Sequence, residues 1–264
     1  MSQNQLWPVL GDEWRAMGNK PPSIGLKLGS TQPLPDIPES EWREFDYTKD
    51  PSFPVKIKDQ GQSSGCNGHA AATCSEVARW IAGLFHEELS PWYIYANLCR
   101  GWDTGSSISD ALQFLVSKGV CNSKYVPYGT INPSRIKPDA TTDAVKHRIE
   151  IGHTLTSFRG LCISAQLRQP FNFSMPVNTG FNSLDKNGCP SNISGIHNHA
   201  GCGGLGMKRV NGKWYFIFPN SWGNRWGING YAWVGEKNLE GWCFDAYSVI
   251  ATREDTADGP PAIR

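Results

Sequence analysis

The sequence predicts an α+β fold in which a helical half precedes a sheet half. Two observations carry this reading. Apolar residues recur at the helical period between about residues 66 and 120, and after about residue 150 short β-branched and aromatic runs alternate with Gly/Asn turns. At 264 residues the chain fits one large domain or two lobes that share a core.

Pro8, Pro21, Pro22, Pro33, Pro35 and Pro38 punctuate the first 41 residues, which have few periodic apolar positions. Residues 1–35 are therefore read as an extended, proline-rich arm lying along the domain or across a protein assembly partner. The domain itself is read as residues 36–254, with a helical lobe at about 61–130, a β lobe at about 140–254 and a polar tail at 255–264. A helix begins close to Cys66, since Ala70, Cys74, Val77, Ala78, Ile81, Ala82 and Phe85 fall on one face. Ser90 followed by Pro91 supplies an N-cap and a first-turn proline for a second, aromatic helix through Trp92, Tyr95 and Leu98. Ser109 is read as the cap of a third helix with Ala111, Leu112, Leu115 and Val116 on its apolar face, closed by Gly119. Residues 133–160 give no clear period, although Val145 and Ile149 hint at a helix. Strands are expected around residues 176–181, 214–218, 231–234 and 247–250.

Charge excludes some partners. Lys+Arg 25 against Asp+Glu 24, with no run of either sign, argues against nucleic acid and anionic membrane. The N-terminus has neither a basic nor an apolar leader segment and no apolar run reaches about 18 residues, so a cytoplasmic or virion-associated protein is expected over a secreted one. Eight cysteines in this length fall well below the ~8–10% of disulfide scaffolds, so packing must hold the fold.

A cysteine at the start of a helix is chemically informative, because unpaired N–H groups and the positive dipole end favour thiolate over thiol. Cys66 is thus a candidate nucleophile. The loop before it, with Gln60, Gly61 and Gly65, can bring amide donors to an oxyanion. The second half supplies a base in His199 and, in Asn220, an amide oxygen able to fix its tautomer. A zinc site from His197, His199 and Cys202 with Cys66, His69 and Cys74 is the sharpest rival. It leaves Gln60, Asn220 and Trp222 without roles and matches no common zinc spacing.

Three blocks then carry a resemblance: Gln60-Gly61-x3-Gly65-Cys66, Asn198-His199-Ala200, and Asn220-Ser221-Trp222-Gly223-x2-Trp226-Gly227-x2-Gly230-Tyr231. In type and order they resemble the papain-like cysteine peptidases. The resemblance implies a two-lobed fold with the site in the cleft, peptide or protein substrates and no cofactor. It implies Cys66 as nucleophile, His199 as general base and acid, Asn220 as its orienter, and Gln60 with the Cys66 N–H as oxyanion donors. Trp222 would shield the His–Asn pair, Gly105 would bind substrate backbone, and Cys189 and Cys243 would form a disulfide. Three departures stand out: Asn67 where the family usually has Trp, His69 where an aromatic is usual, and Ser63 in place of a half-cystine. They argue for a reshaped cleft and narrow specificity. The family's helical inhibitory prodomain is not expected from the proline-broken arm. The alternative reading is an inert papain-fold module in a larger assembly such as a virus particle.

Overall fold

The computed structural model describes residues 6–8, 14–21, 33–190, 197–239 and 246–252. A short hairpin, β1 (Leu6–Pro8) and β2 (Trp14–Ala16), precedes the domain, which opens with β3 (Phe45–Asp46). Three helices follow: α1 (Cys66–Ile81), α2 (Pro91–Cys99) and α3 (Ile108–Lys118). The rest alternates as α4 (Asp139–Ala144), β4 (Ile149–Thr154), α5 (Phe158–Gln166) and β5 (Phe171–Val177), then β6 (His197–Gly203), β7 (Gly206–Val210), β8 (Lys213–Pro219), β9 (Tyr231–Gly235) and β10 (Ala246–Ala251). The strands form two four-stranded antiparallel sheets, ordered β4-β10-β5-β6 and β3-β7-β8-β9. The α+β expectation holds.

Helix α1 is buried over most of its circumference, and Ala70, Ala71 and Ala72 let its neighbours approach closely. It ends at Ile81, so Phe85, read as part of its buried face, is 77% exposed in the loop beyond. Ser90 caps α2 by accepting from the Tyr93 N–H, with Pro91 in the first turn. The cap of α3 is Ser107, which accepts from the Asp110 N–H, and Ser109 lies inside the helix. Gly119 closes α3 at φ 75. The hint of a helix at Val145 and Ile149 resolves into a 3-10 turn, Val145–His147, followed by strand β4. Of residues 176–181, the first two end β5 and the rest form the turn Thr179–Asn182.

Strand β6 positions the site. In its register His199 lies opposite Met175 and Gly201 opposite Phe173. Side chains alternate across a strand, so Ala200 and Cys202 join the core under α1, while His199 faces an aromatic cluster of the sheet half. Gly201 and Gly203 are required there, since a Cβ would come within 2.2 Å of the Phe218 ring and 2.3 Å of the Phe171 ring.

Candidate active site

On the helix side, Cys66 opens α1 behind Gly65, which supplies no side-chain cap and leaves the first N–H groups of the helix without intrahelical partners. The thiol is fully buried. Burial pushes its pKa up, outweighing the backbone N–H groups of Ala200, Gly18, Asn67 and Cys66 itself that point at the sulfur and pull it down. Gln60 is also fully buried and held at three points: its N–H donates to Ser221 O at 2.8 Å, its Oε1 accepts from the Ser221 hydroxyl at 2.6 Å, and its Nε2 donates to Ser63 O at 2.7 Å. The strand-like segment carrying Gln60 is anchored two residues earlier by a buried ion pair, Lys58 Nζ to Glu76 Oε1 at 2.7 Å. Beside this loop opens a cavity of about 470 Å³ walled by Trp92, Tyr128 and Asp103.

On the sheet side, His199 Nε2 and Asn220 Oδ1 are 2.8 Å apart. An amide oxygen only accepts, so Nε2 carries the proton. The Trp222 ring lies 5.1 Å from the imidazole and Phe181 5.9 Å on another side, and Phe181 packs in turn on Trp226 at 4.9 Å. Burial in this cage holds the His199 pKa down at about 4, against the Asn220 bond that raises it.

The two sides adjoin: the N–H of Ala200, next to His199, is directed at the Cys66 sulfur. No hydrogen bond joins the sulfur to the imidazole, since His199 Nδ1 is buried without a hydrogen-bond partner. The arm reaches the same sulfur. Residues 18–20 run along the helix side of the site: Gly18 O accepts from the Ser106 N–H at 2.9 Å, and Ser106 O accepts from the Lys20 N–H at 2.8 Å, a parallel pairing of Asn19 with Ser106. The Gly18 N–H points at Sγ. Asn67 Nδ2 donates to both Ser106 O and, at 3.1 Å, Asn19 Oδ1. The fit is backbone against backbone. A Cβ on Gly18 would lie 1.8 Å from Ser64 O, and one on Gly105, at φ 75, 2.0 Å from Gly18 O.

A family model described as "Papain family cysteine protease" matches residues 40–251. The chain belongs to the papain family. Mouse Pro-cathepsin H is 31% identical over 216 residues, 77% of this chain and 61% of that protein, so the match spans less than two thirds of that relative. Zingipain-2 from Zingiber officinale is 26% identical over 78% of this chain and 90% of its own length. In three dimensions the chain resembles xylellain, a cysteine protease from Xylella fastidiosa, with a TM-score of 0.72 at 21% identity over 90% of this chain and 96% of that one.

Within this papain-family frame the structure brings Cys66, Gln60, His199, Asn220 and Trp222 to one cleft. Gly105 makes room there, while the neighbouring Ser106 makes the backbone hydrogen bonds. Sequence reasoning passed over Ser106, Ser221, Phe181 and the arm residues Gly18 and Asn19. The aromatic character of residue 181 and the place of Ser221 inside the block after Asn220 were the signals available for these. No three His, Cys, Asp or Glu side chains converge on a metal position among the described residues. Cys74 and Cys202 face each other under α1 as buried thiols. Cys189 is a free thiol, and Cys243 lies outside the described residues, so the implied disulfide is not part of the described structure. No helix among the described residues is long and apolar enough to cross a membrane.

Proposed function

We propose that the protein is a cysteine peptidase that hydrolyses peptide amide bonds through Cys66, His199 and Asn220, and that residues 17–21 hold it latent. The observation that supports this most is the bond from His199 to Asn220 on a strand whose next residue reaches the Cys66 sulfur. Nε2 is committed to Asn220, which leaves Nδ1 as the nitrogen to exchange protons. With the arm gone, water and substrate reach the sulfur, the burial that raises its pKa falls away, and the N–H groups at the α1 terminus favour the thiolate.

Cys66 passes its proton to His199 Nδ1 and the thiolate attacks the substrate carbonyl carbon. The oxyanion accepts from the Cys66 N–H and Gln60 Nε2. His199 returns its proton to the departing amine as the C–N bond breaks, leaving a thioester. A water molecule, deprotonated by His199, attacks the thioester, and the acid product leaves as the proton returns to the sulfur. Throughout, Asn220 holds one tautomer and Trp222 keeps water from that bond.

The test uses Gly18→Ala in the full chain, since a methyl there cannot coexist with Ser64 O. Iodoacetamide should modify wild-type Cys66 slowly and the variant quickly, and only the variant should cleave a fluorogenic peptide library from the outset. A variant with an exposed, alkylated Cys66 and no hydrolysis of any peptide would favour the inert module.

A further inference from the structure

We infer that His69 positions the oxyanion-binding peptide, fixing through the Gly65 carbonyl the direction of the Cys66 N–H. This rests on the peptidase reading above. His69 lies one turn along α1 from Cys66, fully buried. Its Nδ1 is 2.8 Å from Gly65 O, which also receives the ordinary helical bond from the His69 N–H at 3.2 Å. A carbonyl only accepts, so Nδ1 bears the proton. Burial holds the ring's pKa down at about 3, so it is neutral across working pH.

The Gly65 carbonyl and the Cys66 N–H belong to one planar peptide and point in opposite directions, so whatever fixes the oxygen fixes the hydrogen. A second donor on that oxygen also polarises the amide and strengthens its N–H as a donor. Beside the ordinary helical bond, His69 Nδ1 supplies the side-chain donor on this carbonyl, since Gly65 offers no side-chain cap. The ring itself is kept from turning by the edge of Trp92, 4.9 Å away at 90°.

Simple space-filling does not account for the residue. An apolar ring of similar size would occupy the site without burying a nitrogen that makes no close hydrogen bond, as His69 Nε2 is, although the Asp59 backbone also faces the ring. His69 lines the same narrow internal void as Asn220, whose Nδ2 makes no hydrogen bond. The two ends of the imidazole therefore have different surroundings, and amide substitutions separate them. Asparagine places its amide where Nδ1 lies, whereas glutamine reaches the Nε2 end.

The variants are made in the full-chain Gly18→Ala protein. His69→Asn should keep kcat within about threefold, while His69→Gln and His69→Phe should lower it about 10²-fold with KM within twofold, the size typical of one oxyanion donor. Iodoacetamide displacement forms no oxyanion, so the alkylation rate of Cys66 should not change in any variant. Equal loss in Asn and Gln, full activity in Phe, or alkylation falling in step with kcat would overturn the inference. A measurement without turnover separates it from the peptidase reading: the Cys66 amide proton signal should move upfield in His69→Gln and stay in His69→Asn. An unmoved signal refutes the role of His69, whereas a moved signal in a protein that hydrolyses nothing refutes only the peptidase reading.

Discussion

The two walls of the cleft are built from different chemistry. The sheet wall holds His199 with aromatic surface: Trp222, Phe181, Phe218 and Trp226 pack ring against ring around a single hydrogen bond to Asn220. The helix wall holds Cys66 with hydrogen bonds: Asn67 to Ser106, His69 to Gly65, Asp103 to the Ser64 N–H, and Lys58 to Glu76. Packed rings share their contacts, so removing one loosens all. Hydrogen bonds are separable, and each has its own consequence. The sheet wall is also where the papain-family residues are matched without a break, while the helix wall carries the departures at residues 63, 67 and 69.

The largest effect comes from the group that both walls serve. Cys66→Ala in the Gly18→Ala chain should lower kcat by ~10⁶-fold, to background, with an unchanged circular dichroism spectrum. Comparable unfolding would show that Cys66 is structural. Phe181→Ala breaks the sheet wall at its centre and should cost ~3–5 kcal/mol in denaturant unfolding, taking activity with it. Loss of activity at unchanged stability would mean that the rings are not coupled.

Acid tests one imidazole on each wall. His199 and His69 have folded pKa values of about 4 and about 3 against an ordinary 6.5. The unfolded chain therefore binds more protons below pH 6.5, so this stability is complete above pH 6.5 and is lost as pH falls through about 4 for His199 and about 3 for His69. The melting temperature of wild type should drop over that range, and by less in His69→Asn, which lacks one of the two groups. Identical curves would remove His69 from the account. The smallest effect should be Asn67→Ala: loss of about 1 kcal/mol of arm tethering, read as a severalfold faster alkylation of Cys66 with the melting temperature nearly unchanged.

Much of this was legible in the sequence where the backbone itself dictates residue type. Gly227 and Gly230 take φ 60 and 91, and a Cβ on Gly230 would meet Ile57 at 2.6 Å, so the block after Asn220 is spelled by geometry. Cys66 at a helix start, Ser90 before Pro91 and Gly119 after α3 are of the same kind. The α3 cap was misplaced by two residues because Ser107 and Ser109 carry the same hydroxyl. The proline-broken arm was legible as an extended segment, but the place where it docks was not. It pairs with Ser106 through the Gly18 carbonyl and the Lys20 N–H, groups that every such residue possesses, and the side-chain bonds beside them, Asn67 to Asn19 and Lys20 to Thr104, follow no sequence pattern. Strand β7 and helix α5 were missed because Gly, Lys and Arg in the one and Gly, Ser and Gln in the other blur the period.

Burial of sulfur turns the molecule into its own counter. The seven cysteines of the described residues are all free and all buried, and the Gly18 N–H of the arm points at the Cys66 sulfur. A colorimetric thiol reagent added to the native protein should therefore register almost none of these seven, and then rise by one equivalent as residues 17–21 withdraw. The fraction of molecules open at any moment can be read as a stoichiometry, with no substrate in the tube.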